Sequence, residues 1–202
     1  METTLGTHPA GSVSAREPVS APRLVFLVGF MGAGKSSVGK ALAAHLGWRF
    51  EDLDDHIVAR DGRPIEQIFR ESGEPEFRRA EHGALRSLLS EPVSAARVVA
   101  LGGGAFVQPE NAELLAQAGA PTVFLDAPVE VLFQRCQQEQ QVGRPLRRSQ
   151  EEFGKLYEAR RPHYLKAALR VETNNYEVEA VAHAVARSLG LQPANSYRED
   201  MP

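Results

Sequence analysis

The chain has 202 residues, 43% apolar and 24% charged, which suits one globular domain with a core of its own. A formal net charge of −3 offers no broad positive field for nucleic acid or an anionic membrane, so any bound anion needs a local site. No apolar run approaches the roughly 20 residues of a membrane span, and no basic-then-apolar leader opens the chain, so a cytoplasmic protein is expected.

Residues 1–22 are rich in Ser, Thr, Pro, Ala and Gly and read as a disordered extension, and residues 192–202 read as a similar tail. Between them, 23–191 alternate strands with helices. Leu24–Val28 is a short apolar strand. Gly29-Phe30-Met31-Gly32-Ala33-Gly34-Lys35-Ser36 follows and fits G-x-x-x-x-G-K-[ST], ahead of a helix over Lys35–Leu46. In such a loop backbone N–H groups turn toward phosphate oxygens, and the helix N-terminus adds partial positive charge. Lys35 supplies a full charge, and Ser36 a hydroxyl for Mg²⁺. Ser37 either adds a phosphate contact or begins the helix.

Trp48–Asp52 reads as a second strand. Alternation along a strand sets Asp52 and Asp54 facing one way, as a metal-side carboxylate and a group for an accepting hydroxyl. A strand-end turn with a helix N-cap explains the same pair equally well. Helices are expected over Asp54–Arg60, Ile65–Arg70 and Glu74–Leu89. On the last, Arg78 and Glu81 are three residues apart and can pair, leaving an arginine braced to grip a carboxylate, or they simply form a solvated face.

Arg97–Leu101 is the third strand, ended by Gly102-Gly103-Gly104, and Asn111–Ala118 is helical. Glycines at a strand end admit close approach to the backbone. Thr122–Leu125 is the fourth strand, followed by Asp126, which fits either a metal-side carboxylate or an N-cap before Pro128. The helix Val129–Gln138 carries Cys136, the one cysteine, expected as a small buried residue. A polar stretch at about 139–150 holds Arg144, Arg147 and Arg148 and has the character of a basic lid over a triphosphate. Glu151–Ala168 is helical and includes Arg160 and Arg161; Leu169–Glu172 is a short strand and Val178–Leu189 a closing helix. This order predicts a three-layer α/β/α domain of the P-loop NTPase type around a parallel sheet of five strands, with ligands at the strands' carboxyl ends.

Taken as an ordered set, these segments resemble the shikimate kinase family. The set comprises G-F-M-G-A-G-K-S-S at 29–37, F-E-D-L-D at 50–54, G-R-P-I-E-Q-I-F at 62–69 and G-E-P-E-F-R-R-A-E at 73–81. It continues with L-G-G-G-A at 101–105, R-P-L at 144–146 and R-R-P-x-Y at 160–164. The resemblance implies a kinase that phosphorylates shikimate with ATP and Mg²⁺ on the way to chorismate and the aromatic amino acids. It implies that Gly32, Ala33, Gly34, Lys35, Ser36 and Ser37 bind ATP, with Arg135 near adenine and Arg144 on the phosphates. It assigns the metal to Ser36 and, through water, Asp52, in preference to Asp126. Shikimate falls to Asp54, Arg78, Gly103 and Arg160, with Phe69 and Phe77 packing on it and Glu81 bracing Arg78. Lys35, Asp54 and Arg144 are the implied catalytic groups, and a monomer is the implied state. A related small-molecule kinase, such as a gluconate kinase, and a shikimate-binding regulator without activity are the competing readings.

Overall fold

A computed structural model describes residues 22–92, 95–140 and 149–193. Five parallel strands form one sheet: β1 (Leu24–Val28), β2 (Arg49–Asp52), β3 (Arg97–Ala100), β4 (Thr122–Asp126) and β5 (Leu169–Glu172), in the order β2-β3-β1-β4-β5. The three inner strands, LVFLV, RVVA and TVFLD, are buried along their whole length. Covered on both faces, they read as unbroken apolar runs, whereas β2 and β5 at the edges keep partial exposure. The registers Phe26↔Val99 and Phe26↔Thr122 bring the carboxyl ends of β1, β3 and β4 to one rim of the sheet.

Seven helices accompany the sheet among the described residues: α1 (Lys35–Leu46), α2 (Leu53–Asp61), α3 (Ile65–Ser90), α4 (Pro109–Ala118), α5 (Val129–Gln140), α6 (Gln150–Tyr164) and α7 (Val178–Ser188). α1 packs on α7, α2 on α3 and α5 on α6. None is long and apolar enough to cross a membrane. The sheet core runs from Phe26, Leu27 and Val99 through Phe124 to Leu42, Leu85 and Val185, all essentially without solvent contact.

Four details of these elements bear on the site. Asp54 lies in the first turn of α2, within the helix expected from residue 54, and of the two readings of the aspartate pair the N-cap is the one realised: Asp52 caps the helix, its Oδ1 accepting the Asp54 N–H at 3.1 Å. The two helices expected on either side of residue 73 are both present, as the two arms of α3, which breaks at Gly73 (φ 75°, ψ 178°) just before Pro75. This left-handed break reorients the chain between Phe69 and Arg78. α6 stops at Tyr164 and not Ala168, since a turn is needed to deliver Leu169 to its partner Val123 on β4. A 3-10 turn at Ala105–Val107, unannounced by the sequence, carries the chain from the glycines into α4.

Candidate active site

The loop after β1 turns on Gly32, whose φ of 76° is a left-handed conformation. A Cβ there would stand 2.6 Å from the Leu132 carbonyl oxygen and 2.9 Å from Cys136 Sγ, so α5 packs directly beneath the loop. Cys136 is buried there as a small packing residue. The Lys35 ammonium curls back over the loop and donates to the carbonyls of Gly29 at 3.0 Å and Phe30 at 2.9 Å. Phe30 is locked by edge-on contacts to Phe153 and Tyr157 of α6. Ser36 Oγ donates to Asp52 Oδ2 at 3.1 Å, so the hydroxyl after the lysine and the carboxylate at the end of β2 meet.

Opposite the loop, the three glycines after β3 are a meeting point. A Cβ on Gly102 would lie 3.2 Å from Glu81 Oε1 and 3.3 Å from Asp54 Oδ1. On Gly103 it would lie 3.6 Å from the Met31 nitrogen, 3.7 Å from the Gly29 oxygen and 3.9 Å from Arg160 Nη1. On Gly104 it would strike the Arg78 guanidinium, 2.5 Å from Nη1. Asp54, Glu81, Arg78, Arg160 and the phosphate loop, spread over 130 residues of chain, therefore face one short turn whose missing side chains leave room beside them.

The charges there hold one another in place. Arg78 Nη1 donates to Glu81 Oε2 at 2.8 Å and Nη2 to Glu74 Oε1 at 2.8 Å. Glu81 is 1% exposed, and its Oε1 has no hydrogen-bond partner. Burial pushes the Glu81 carboxyl above its usual range and nearby Asp54 adds to this, while Arg78 opposes it. Burial works against the charge on Arg78, but Glu81 and Glu74 raise its pKa above the ordinary value. Arg160 Nη1 reaches the Gly103 carbonyl at 3.4 Å, and its guanidinium lies 5.9 Å from the Phe30 ring centroid. Phe69, partly exposed, stacks at 4.5 Å on Phe77, which is buried.

On the other side of the loop lies a cleft of about 240 Å³ lined by Gly34, Ser37, Arg135, Thr173, Tyr176 and Val178, among others. Arg135 is pinned by Thr173, donating to its carbonyl at 2.7 Å and its hydroxyl at 3.1 Å. Tyr176 is 61% exposed at the rim, presented by Asn175 in the left-handed conformation (φ 59°). Sequence reasoning missed Thr173 and Tyr176; the only local signal is an aromatic residue after Asn-Asn in an otherwise polar turn.

Asp126 does something neither sequence alternative describes. Its buried carboxylate accepts from Arg161 Nη2 at 3.1 Å, Arg170 Nε at 2.9 Å and the Tyr157 hydroxyl at 3.2 Å. Its carbonyl accepts the Thr173 N–H at 2.8 Å. Arg160 and its neighbour Arg161 thus diverge, one to the glycine turn and the other to this hub. Arg144, Arg147 and Arg148 lie outside the described residues.

This architecture has known relatives. A family model described as shikimate kinase matches residues 31–190. A shikimate kinase of Geobacter sulfurreducens is 45% identical over 167 residues, covering 81% of this chain and 89% of the relative. One from Persephonella marina is 40% identical over 152 residues, covering 75% and 89%. Among solved structures, shikimate kinase from Acinetobacter baumannii in complex with shikimate superposes with a TM-score of 0.74 at 36% identity, covering 84% of this chain and 93% of that one. A match along most of the chain, in sequence and in fold alike, makes this protein a member of the shikimate kinase family.

Proposed function

We propose that the chain transfers the γ-phosphoryl group of ATP to the 3-hydroxyl of shikimate, giving ADP and shikimate 3-phosphate on the route to chorismate and the aromatic amino acids. The observation that carries this reading is the glycine turn at 102–104, against which two arginines, two carboxylates and the phosphate loop converge. A small carboxylated alcohol needs such a set: guanidinium forks for its carboxylate and an acid for its hydroxyls.

Arg78, made rigid by Glu81 and Glu74, and Arg160 take the carboxylate, with Gly103 passing close to the ring. Asp54 accepts the hydroxyl proton or orients the hydroxyl for attack. Lys35, the loop amides of 32–37 and the N-terminus of α1 hold the β- and γ-phosphates, where negative charge gathers during transfer. Arg144 is assigned to the phosphates by the resemblance. Arg135 and the cleft beside it take the base, as their continuity with Gly34 and Ser37 supports.

The residues fit Mg²⁺. Ser36 Oγ and Asp52 Oδ2 are hard oxygen donors 3.1 Å apart, and no cluster of three or more His, Cys, Asp or Glu stands among the described residues to suit another metal. Mg²⁺ is commonly held by one or two protein oxygens together with phosphates and water. When bound it neutralises charge on the β- and γ-oxygens. The reading also makes the chain a cytoplasmic monomer that takes small molecules and neither nucleic acid nor membrane, in keeping with its net charge of −3.

The test is ADP release by purified protein with Mg·ATP, with shikimate or gluconate offered. Shikimate-dependent release is expected. Turnover of gluconate but not shikimate, or shikimate binding without ADP, would overturn the reading.

A further inference from the structure

The face of α6 that meets the phosphate loop and the glycine turn carries Phe153, Tyr157, Arg160 and Tyr164, spaced by four, three and four residues. Tyr164 is fully buried, and its ring stacks on Phe124 of β4, with centroids 5.3 Å apart and planes 28° apart. Held this way, its hydroxyl meets the Gly103 carbonyl and donates a short hydrogen bond to it. The same carbonyl receives Arg160 Nη1 at 3.4 Å, near the outer limit of a hydrogen bond. One acceptor thus has the phenol as its nearer donor and the guanidinium as its more distant one.

We propose that Tyr164 is a positioning residue for substrate binding: by satisfying the Gly103 carbonyl it stops the Arg160 guanidinium from being drawn fully onto that oxygen and so keeps it turned toward a carboxylate ligand. The proposal rests on the shikimate kinase reading above. Without the hydroxyl, a half-buried carbonyl loses its principal donor, and leaving an acceptor unsatisfied is costly. Arg160, one helical turn away on the same face, is the donor at hand. A guanidinium drawn down onto Gly103 has one N–H fewer for the substrate, so backbone and substrate compete for it. Burial pushes the phenol up to about 12 against the opposing pull of Arg160, whose guanidinium also interacts with the hydroxyl, so Tyr164 remains a neutral donor across the working pH range.

The test is initial-rate kinetics on Tyr164→Phe with both substrates varied. The KM for shikimate should rise about tenfold, the size of one lost hydrogen bond to a charged or buried partner, while the KM for ATP stays unchanged. Two site-specific replacements separate donation from packing. Para-aminophenylalanine at 164 keeps a donor at the same place and should bring the shikimate KM back toward wild type. Para-fluorophenylalanine fills the hydroxyl's volume without donating and should behave like Tyr164→Phe; it decides the matter where the phenylalanine variant fails to fold. An unchanged shikimate KM in the non-donating variants, a joint rise in both KM values, or no recovery with the amino group would overturn the proposal. Wild-type protein that does not phosphorylate shikimate would overturn the functional reading instead.

Discussion

At the residue scale, the site depends on charges kept in a partly dry place. Asp54 sits where a carboxylate can receive a hydroxyl proton, within 3.3 Å of the space above Gly102. Asp54→Asn keeps the shape and removes the basicity, so kcat should fall about 100-fold or more while ATP binding, followed by calorimetry, persists. Glu81 is more unusual, since its pKa in the folded chain lies above the ordinary value of 4.5. A raised carboxyl pKa means the folded state binds the proton more tightly than the unfolded one, so this residue's contribution to stability is full below about pH 4.5 and is lost as pH climbs through the folded value. Glu81→Gln removes that titration. The stability gap between wild type and variant should shift against wild type as pH rises from acid to neutral, and pH-dependent thermal melts of both proteins measure it. The same variant removes one of the two carboxylates that hold Arg78 and should raise the shikimate KM; an unaltered KM would show that Glu74 alone suffices as the brace. Tyr176 offers an aromatic face at the rim of the cleft proposed for the base. Stacking on a base is worth about 1–3 kcal/mol, so Tyr176→Ala should raise the KM for ATP about fivefold or more without moving that for shikimate.

At the scale of elements, Asp126 joins three of them. It stands at the end of β4, takes Arg161 from α6 and Arg170 from β5, and its carbonyl anchors the Thr173 turn that pins Arg135. Asp126 is 3% exposed, so removing its carboxylate strands two guanidinium groups that retain partial solvent contact. Asp126→Ala should cost about 3 kcal/mol of stability, read as a lower midpoint in urea unfolding. A midpoint equal to wild type would show that the hub binds these elements only weakly. The break in α3 is the other element-level device. Without Gly73, a straight helix would run from Ile65 toward Ser90, and the turn that separates Phe69 from Arg78 would be lost. The Asp126 hub joins segments distant in sequence and has no periodic signature of its own, whereas the break at Gly73 lies between two consecutive helical runs.

At the scale of the whole molecule, the described residues carry a sheet of five parallel strands, and the proposed domain spans 23–191. A chain trimmed to 22–193 should therefore keep the thermal midpoint and turnover of the full-length protein; a marked loss of either would assign the ends a part in the fold or the reaction. Much of this architecture was legible from residue order, because apolar runs of four or five bounded by glycine, alternating with 3.6-residue periodicity, admit little besides a covered parallel sheet. The loop at 29–36 was legible for a similar reason: glycine spacing, lysine and serine act through contiguous backbone. Residues joined only by folding were not so readable. Spacing left Asp52 and Asp54 open between a shared strand face and a strand-end cap, and only the folded turn shows Asp52 capping the helix that carries Asp54. Nothing local distinguishes Arg160 from Arg161, yet one meets Gly103 and the other Asp126, because adjacent helical residues diverge by about 100° and face different neighbours. The sequence by itself therefore determined the class of fold and the place of the glycine-rich loop between β1 and α1, both written in short-range patterns. Tertiary structure alone decided which charges share a site, because proximity across more than a hundred residues depends on strand order and packing, and these leave no mark on local spacing.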